Sequence, residues 1–80
     1  MKRVLLDSSL LASAEYHPDA AVLDVTLRDG KHYRYFGLPP ECFHQLLLAQ
    51  SKGRFFNSHI RNRFAYQHLT DPLAPITTLA

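Results

Sequence analysis

Apolar and polar residues alternate along segment 21–28 of this 80-residue chain. Leu23, Val25 and Leu27 would project to one side of a strand, and the polar residues between them to the other. This alternation predicts a half-buried β-strand, because successive side chains of a strand point to opposite faces of its sheet. The segment is therefore expected to place one face on a hydrophobic core and the other in water.

Two further strands are predicted on either side of this segment. Residues 11–16 lead into a turn at 17–19, where proline fixes a backbone angle and aspartate can bond its own backbone. Residues 31–36 follow an Asp-Gly turn and are rich in aromatic side chains, which favour strands. Residues 1–7 would form either a loose N-terminal arm or a short edge strand.

The length of the turn between the second and third strands decides which face carries the tyrosines. A two-residue turn would place Val25 beside Arg34 and mix apolar with charged residues on both faces. A three-residue loop at 28–30, with Gly30 in the left-handed conformation, sorts the faces into an apolar and a charged set. We therefore predict the three-residue loop. Its cross-strand pairs are Leu23 with Tyr35, Asp24 with Arg34, and Val25 with Tyr33.

The second half of the chain changes to a helical period. Residues 40–50 place Phe43, Leu46 and Leu47 on one stripe, with a proline in the first turn, where its missing N–H is harmless. Residues 54–64 repeat an apolar residue every fourth position, at Phe56, Ile60 and Phe64. The sequence thus predicts an α+β fold, a three-stranded antiparallel β-meander followed by two α-helices packed on one face.

Length and composition are those of one small domain, which we place at residues 8–66. The last residues contain two prolines and no period, so residues 67–80 are expected to form a flexible C-terminal tail. Cys42 has no second cysteine with which to form a disulfide, which favours a cytoplasmic location. No apolar run approaches the roughly 20 residues of a membrane span, so no membrane partner is expected.

Charge is distributed unevenly along the chain. Residues 1–41 carry five basic and six acidic side chains, whereas residues 42–70 carry four basic side chains and no acidic one. The second part is either a solvated helix face or a surface for phosphate groups, to which arginine presents a planar fork of donors. The candidate nucleic-acid-binding residues are Arg34, Lys52, Arg54, Arg61 and Arg63.

Tyr33 and Tyr35 have two interpretations. They would form a stacking platform for bases, as aromatic residues do on RNA-binding sheets, or they would pack beneath the helices. The predicted register favours packing. The five histidines are dispersed and the chain has one cysteine, so we predict no metal site, no cofactor and no catalytic group.

Several short motifs, in this order, resemble the KTSC domain family. They are Ser8-Ser9, Tyr16, Leu23-x-Val25-x-Leu27, Tyr33-x-Tyr35, Leu38-Pro39, Ala49-x-Ser51-x-Gly53 and Phe56-Asn57-x-x-Ile60-Arg61. The resemblance covers about residues 8–64 and implies a small domain that occurs at the C-terminus of some lysyl-tRNA synthetases and alone in bacteria. RNA binding is a role suggested for the family. Glu15 and His17-Pro18 depart from its pattern, so the first turn is expected to differ.

Two functions remain as hypotheses. The first is a non-enzymatic module that binds RNA or another single-stranded nucleic acid through the basic second helix. The second is a protein-interaction or self-association module, in which Phe36, Phe55 or an open sheet edge would bind a protein chain.

Overall fold

The computed structural model describes residues 3–69 of the chain. Its elements are β1 (Arg3–Leu5), β2 (Leu11–His17), β3 (Val22–Leu27), β4 (His32–Phe36), α1 (Pro40–Leu48), α2 (Lys52–His59) and β5 (Tyr66–His68). The strands form one antiparallel sheet in the order β1-β2-β3-β4-β5. Strands adjacent in the chain are thus adjacent in the sheet, and both helices lie in the connection from β4 to β5.

The predicted α+β class is confirmed, but the described sheet has five strands where the sequence predicted three. The additional strands lie at the two edges. β1 pairs with β2, where Val4 lies opposite Ala14, and β5 pairs with β4, where Tyr66 lies opposite Tyr35. Each of these edge strands has three residues, too few to show a recognisable alternation.

The C-terminal boundary also differs from the prediction. Gln67 and His68, which we assigned to the tail at 67–80, belong to β5. Residues 70–80 of that predicted tail lie outside the described residues. At the other end, the segment predicted as an arm or an edge strand contributes the edge strand β1.

The predicted register between β3 and β4 is confirmed at every predicted pair: Leu23 with Tyr35, Asp24 with Arg34, and Val25 with Tyr33. The loop at 28–30 is closed by two backbone bonds, from Leu27 N–H to the Lys31 carbonyl at 2.8 Å and from Gly30 N–H to the Leu27 carbonyl at 3.0 Å. Gly30 has a φ of 93°, which glycine adopts without steric cost. The glycine therefore fixes the register, and the register fixes the two faces.

Both helices cover the apolar face of the sheet. Tyr35 of β4 meets Phe56 of α2 edge-on, with ring centroids 5.5 Å apart, and both side chains are almost fully buried. Tyr16 of β2 stacks on Phe43 of α1 at 5.0 Å and donates a hydrogen bond to the Leu38 carbonyl at 2.6 Å. Such aromatic pairs contribute about 0.5–1.5 kcal/mol each beyond the area they bury, so they anchor each helix to one strand.

The helix bounds differ from those predicted. α1 ends at Leu48 rather than near residue 50, and α2 spans Lys52–His59 rather than 54–64. α2 begins early because the Ser51 hydroxyl accepts a bond from the Arg54 N–H at 3.4 Å and so caps the helix. It ends early because the chain must return to the sheet at Tyr66. A helix that ran to Phe64 would leave one residue for that return.

Candidate nucleic-acid interface

Motif residues from the start of β2 and from α2 meet at one surface cleft. The Ser8 hydroxyl accepts hydrogen bonds from the N–H groups of Leu10 and Leu11, both at 3.2 Å, and so holds the approach to β2 in place. Gly53, in the first turn of α2, packs against this segment. A Cβ at Gly53 would lie 3.2 Å from the Leu10 Cβ and 3.5 Å from the Ser8 Oγ. The glycine therefore lets the helix approach the strand closely enough to form the cleft.

We call this feature the serine cleft. It encloses about 500 Å³ and is polar. Its lining groups include hydroxyl, amide and cationic side chains from Ser8, Ser9, Ser51, Lys52, Arg54 and Asn57. Asp7 also lines it and adds one negative charge to a surface whose other side chains are neutral or positive.

Lys52 and Arg54 contribute to the serine cleft in different ways. The Lys52 ammonium donates to the Ala49 carbonyl at 3.1 Å, so part of its hydrogen-bonding capacity serves the end of α1. Arg54 is exposed, and its guanidinium has no hydrogen-bond partner among residues 3–69. Arg54 is therefore the freer of the two cations to bind an anion.

Arg61 continues the same side of α2 beyond the helix end. Its N–H bonds to the Phe56 carbonyl at 2.9 Å, which keeps the turn after α2 close to the helix. Its guanidinium donates to the Asn57 amide oxygen at 3.3 Å. Since Asn57 and Arg54 both line the serine cleft, the three side chains form one continuous surface. We call Arg54, Asn57 and Arg61 the α2 strip.

Arg34 lies elsewhere, on the face of the sheet that no described helix covers, which we call the open face. It binds Asp24 through two hydrogen bonds of 2.7 and 3.0 Å. Burial raises the pKa of Asp24, but hydrogen bonds and charge from Arg34 and His17 outweigh it, and that pKa lies below its ordinary value of 3.8. Arg34 is thus committed to an internal ion pair and is not brought together with the α2 strip.

Arg63 and the two tyrosines complete the predicted set. Arg63 is exposed and makes no side-chain hydrogen bond among residues 3–69. The Tyr35 side chain is 2% exposed, so its ring has no face available to a base. The half-buried Tyr33 ring stacks on His68 at 4.8 Å and meets the edge of Tyr66 at 5.9 Å. Packing beneath a helix is therefore observed for Tyr35, which meets Phe56 of α2, whereas Tyr33 packs against β5.

A small cavity, which we call the tyrosine cavity, lies between Arg61 and the sheet. It is lined by Tyr33, Tyr35, Arg61, Asn62 and Tyr66. The sequence pattern did not identify Asn62 or Tyr66 as site residues, because β5 was not predicted. Ser8 and Ser9 were noted as motif residues only. Ser8 and Gly53 are far apart in the sequence and are brought together only by the fold, so the sequence held no signal that located the serine cleft.

The KTSC domain family matches residues 7–64, most of the chain. This chain belongs to the KTSC domain family. It is 49% identical over 57 residues to an uncharacterized protein of Stutzerimonas stutzeri, an alignment that covers 71% of this chain and 80% of that protein. It is also 30% identical over 64 residues to a lysine–tRNA ligase of Nostoc punctiforme, covering 80% of this chain and 11% of the ligase.

A solved KTSC domain protein has the same fold. The crystal structure of a KTSC domain protein from Yersinia pestis superposes on this chain with a TM-score of 0.81 at 33% sequence identity. The superposition covers 84% of this chain and 94% of the Yersinia chain. In the KTSC domain described here, Glu15 and His17, two of the residues noted as departures from the resemblance, lie on the open face. His17 Nε2 is 3.1 Å from Asp24 and 3.5 Å from Glu15, and Glu15 faces Arg3 at 3.9 Å.

The cysteine thiol and the candidate metal ligands among residues 3–69 form no further site. Burial raises the pKa of the Cys42 thiol, which favours the protonated, less nucleophilic form. Within residues 3–69, the His, Cys, Asp and Glu side chains form no group of three or more that could hold a metal ion. Neither α1 nor α2 has the length and hydrophobicity needed to cross a bilayer.

Proposed function

We propose that this KTSC domain is a non-enzymatic module that binds single-stranded nucleic acid, with RNA as the preferred partner, along the α2 strip. The observation that carries the proposal is the continuity of the strip. Arg54 and Arg61 are joined through Asn57 and run from the serine cleft to the tyrosine cavity. Residues 42–70 contain no acidic side chain that would neutralise them.

The groups along the strip suit a sugar-phosphate backbone. Guanidinium groups donate in a planar fork that matches phosphate oxygens, and amide and hydroxyl groups add weaker donors. These contacts position a strand without reading its bases, so we expect little sequence preference. The burial of Tyr35 also leaves this ring unable to stack on a base, so backbone contacts are expected to dominate.

A relative of this chain supports RNA as the partner. The similar segment of the Nostoc punctiforme protein belongs to a lysine–tRNA ligase, a protein named for a reaction on tRNA. An RNA partner and the free thiol of Cys42 also fit the proposed cytoplasmic location.

The proposal is tested by fluorescence anisotropy with a labelled tRNA and a labelled single-stranded RNA at 50 and 200 mM salt. We expect binding that weakens with salt, with a slope of log K on log salt of about −0.7 for each phosphate contacted. The double variant R54Q/R61Q should bind about 10-fold or more weakly and lower the slope by about 1.4, since two contacts are lost.

The matched control is R63Q, which removes one exposed positive charge outside the α2 strip. Its affinity should stay within about two-fold of wild type, because Arg63 lines neither the serine cleft nor the tyrosine cavity. If neither RNA binds at 50 mM salt, the proposed function is wrong. If R63Q weakens binding as much as R61Q alone, attraction depends on net charge and the strip is not the site.

A second candidate function, protein binding or self-association, is favoured by the apolar surface of the open face. Phe36 and Val22 line a shallow depression there together with Ala20, and Leu5 is 82% exposed on the same face. Phe55, the other aromatic residue considered, is half-buried and packs on His59 at 4.6 Å. Light scattering across protein concentrations tests this candidate. A mass that rises with concentration, and returns to the monomer value in F36S, would support it.

A further inference from the structure

The tyrosine cavity is too small for a nucleoside but large enough for a compact anion. Its volume is about 130 Å³. Pockets for drug-sized ligands begin near roughly 300 Å³, whereas one water occupies roughly 30 Å³ of liquid. The cavity is less than half the size of such a pocket and therefore has room for a compact ligand, such as a single tetrahedral oxyanion, together with ordered water.

Tyr35 provides the main reason to expect a ligand there. Its side chain is 2% exposed and lines the cavity, yet its hydroxyl has no hydrogen-bond partner among residues 3–69. No described buried polar atom lacks a partner, so the hydroxyl oxygen must reach the cavity surface rather than be enclosed by protein. Tyr16 differs, because its hydroxyl donates to the Leu38 carbonyl at 2.6 Å. A buried ring with an unpaired hydroxyl at a cavity wall is an arrangement that a ligand oxygen would complete.

The remaining cavity groups select for negative charge. Arg61 contributes a full positive charge, and Asn62 contributes an amide. Burial raises the pKa of Tyr35 to about 12, against the opposing charge of Arg61, so the phenol is a donor at neutral pH. A ring of tyrosines can also bind a cation through its π faces, but Arg61 would repel one.

One feature disfavours the binding of an anion in the tyrosine cavity. α2 ends at His59, two residues before Arg61, and the C-terminal end of a helix carries a partial negative charge of about one half. The full charge of Arg61 exceeds it. In addition, the N–H groups of Ile60 and Arg61 both bond to the Phe56 carbonyl, at 3.0 and 2.9 Å, which occupies one of the exposed carbonyls at that end.

We infer that the tyrosine cavity binds one phosphate group, held by the Arg61 guanidinium and the Tyr35 hydroxyl. This inference rests on the proposed function for the source of the phosphate. A phosphate inside a nucleic-acid strand has two free oxygens and a nucleoside on each side, and both nucleosides would have to stay outside the cavity. A phosphate at the end of a strand, or free inorganic phosphate, fits. The cavity would then fix one end of a strand whose backbone follows the α2 strip.

The first experiment uses inorganic phosphate with the full chain. In two-dimensional amide NMR, titration should shift the signals of Arg61, Asn62 and Tyr66 and reach saturation. Y35F, which removes one hydroxyl and leaves the ring, should weaken phosphate binding about 10-fold, as should R61Q, since hydrogen bonds to charged groups are the stronger ones. R63Q is the matched charge control and should change affinity less than about two-fold.

Thermal unfolding of each variant separates loss of binding from loss of fold. If Y35F unfolds early, R61Q carries the test alone, because Arg61 is exposed and its substitution leaves the core intact. Absence of saturable shifts at the cavity, or equal phosphate affinity in wild type, Y35F and R61Q, would overturn the inference.

The second experiment identifies the source of the phosphate. RNA oligonucleotides of one sequence, with and without a phosphate at the 5′ or the 3′ end, are titrated into wild type and R61Q. Wild type should bind one phosphorylated form about 10-fold more tightly, and R61Q should lose that preference. If oligonucleotides bind with no end preference and the cavity does not respond to phosphate, the inferred phosphate site is wrong and the proposed function stands. If inorganic phosphate binds at the cavity but no oligonucleotide binds, the inferred phosphate site is supported and the proposed function is wrong.

Discussion

Arg34 and Arg61 lie on opposite sides of the same sheet, and their guanidinium groups have different partners. Arg34 forms two short bonds to Asp24 on the open face, whereas Arg61 donates at 3.3 Å to the neutral amide of Asn57. An arginine that already binds a carboxylate must break that pair before it can bind a phosphate. One that bonds only to an amide gives up little. The comparison separates a cation that holds the sheet together from one that is available to a ligand.

The largest expected difference between the two sides concerns packing. Phe56 is 1% exposed beneath α2, whereas Phe36 lies partly exposed on the open face. F56A should lower the free energy of unfolding by about 3–5 kcal/mol, because it leaves a core cavity. F36A should lower it by about 1 kcal/mol or less. Urea denaturation measures both, and equal losses would mean that the open face is covered in solution.

The next prediction is that Arg61 affects RNA binding, whereas Arg34 affects the free energy of unfolding. R61Q should weaken RNA binding about 10-fold and leave the free energy of unfolding within about 0.5 kcal/mol of wild type. R34Q should leave RNA binding unchanged and cost about 1 kcal/mol of stability, a figure discounted because the Arg34 side chain is 40% exposed. The comparison fails if R34Q reduces binding as strongly as R61Q does.

Acid should remove the stabilising contribution of the open-face pair. The folded-state pKa of Asp24 lies below its ordinary value of 3.8, so its contribution to stability is complete above that value and is lost as pH falls through the folded-state pKa. D24N should therefore be about 1 kcal/mol less stable than wild type at pH 7, and the difference should shrink as the pH falls below 3.8. D29N, with its exposed carboxylate 3.9 Å from Lys31, should match wild type throughout. A D24N deficit that is constant from pH 7 to pH 2 would contradict this assignment.

The smallest effect concerns the turn beside the Phe36 depression. Ala21 has a φ of 55° and is the described non-glycine residue with positive φ. Its carbonyl accepts the Leu38 N–H at 2.9 Å, which ties this turn to the start of α1. A21G should raise the free energy of unfolding by about 0.5 kcal/mol, because relief of left-handed strain of about 1–2 kcal/mol exceeds the entropic cost of glycine. G30A, at a φ of 93°, should lower it by about 1 kcal/mol. Opposite signs in thermal unfolding check this pair.

Much of the sheet was predictable because one face is buried. A register shifted by one residue would have placed Arg34 on the core face and Tyr35 in water, so face sorting determined the pairing. The edge strands could not be predicted in the same way. A segment of three residues contains too little alternation, and its pairing depends on which edge of the finished sheet is available.

The candidate site was predictable to a smaller extent. Arg54 and Arg61 are seven residues apart, a spacing that places two side chains on the same side of a helix. They share a side although α2 ends at His59, because the following turn stays close to the helix. The pairing of Asp24 with Arg34 followed from the register, but its two short bonds required side-chain geometry. Tyr66 reached the cavity only through β5, which the sequence pattern did not reveal.

The position of β5 after both helices has a consequence for local opening. This strand supplies Tyr66 to the tyrosine cavity and, among residues 3–69, pairs in the sheet with β4. One wall of the cavity therefore depends on the docking of β5. Short edge strands exchange their amide hydrogens through local unfolding that needs less free energy than global unfolding. A phosphate that requires the docked strand would suppress that opening by mass action. Ligand binding at the cavity and hydrogen-exchange protection of Tyr66–His68 would therefore rise together.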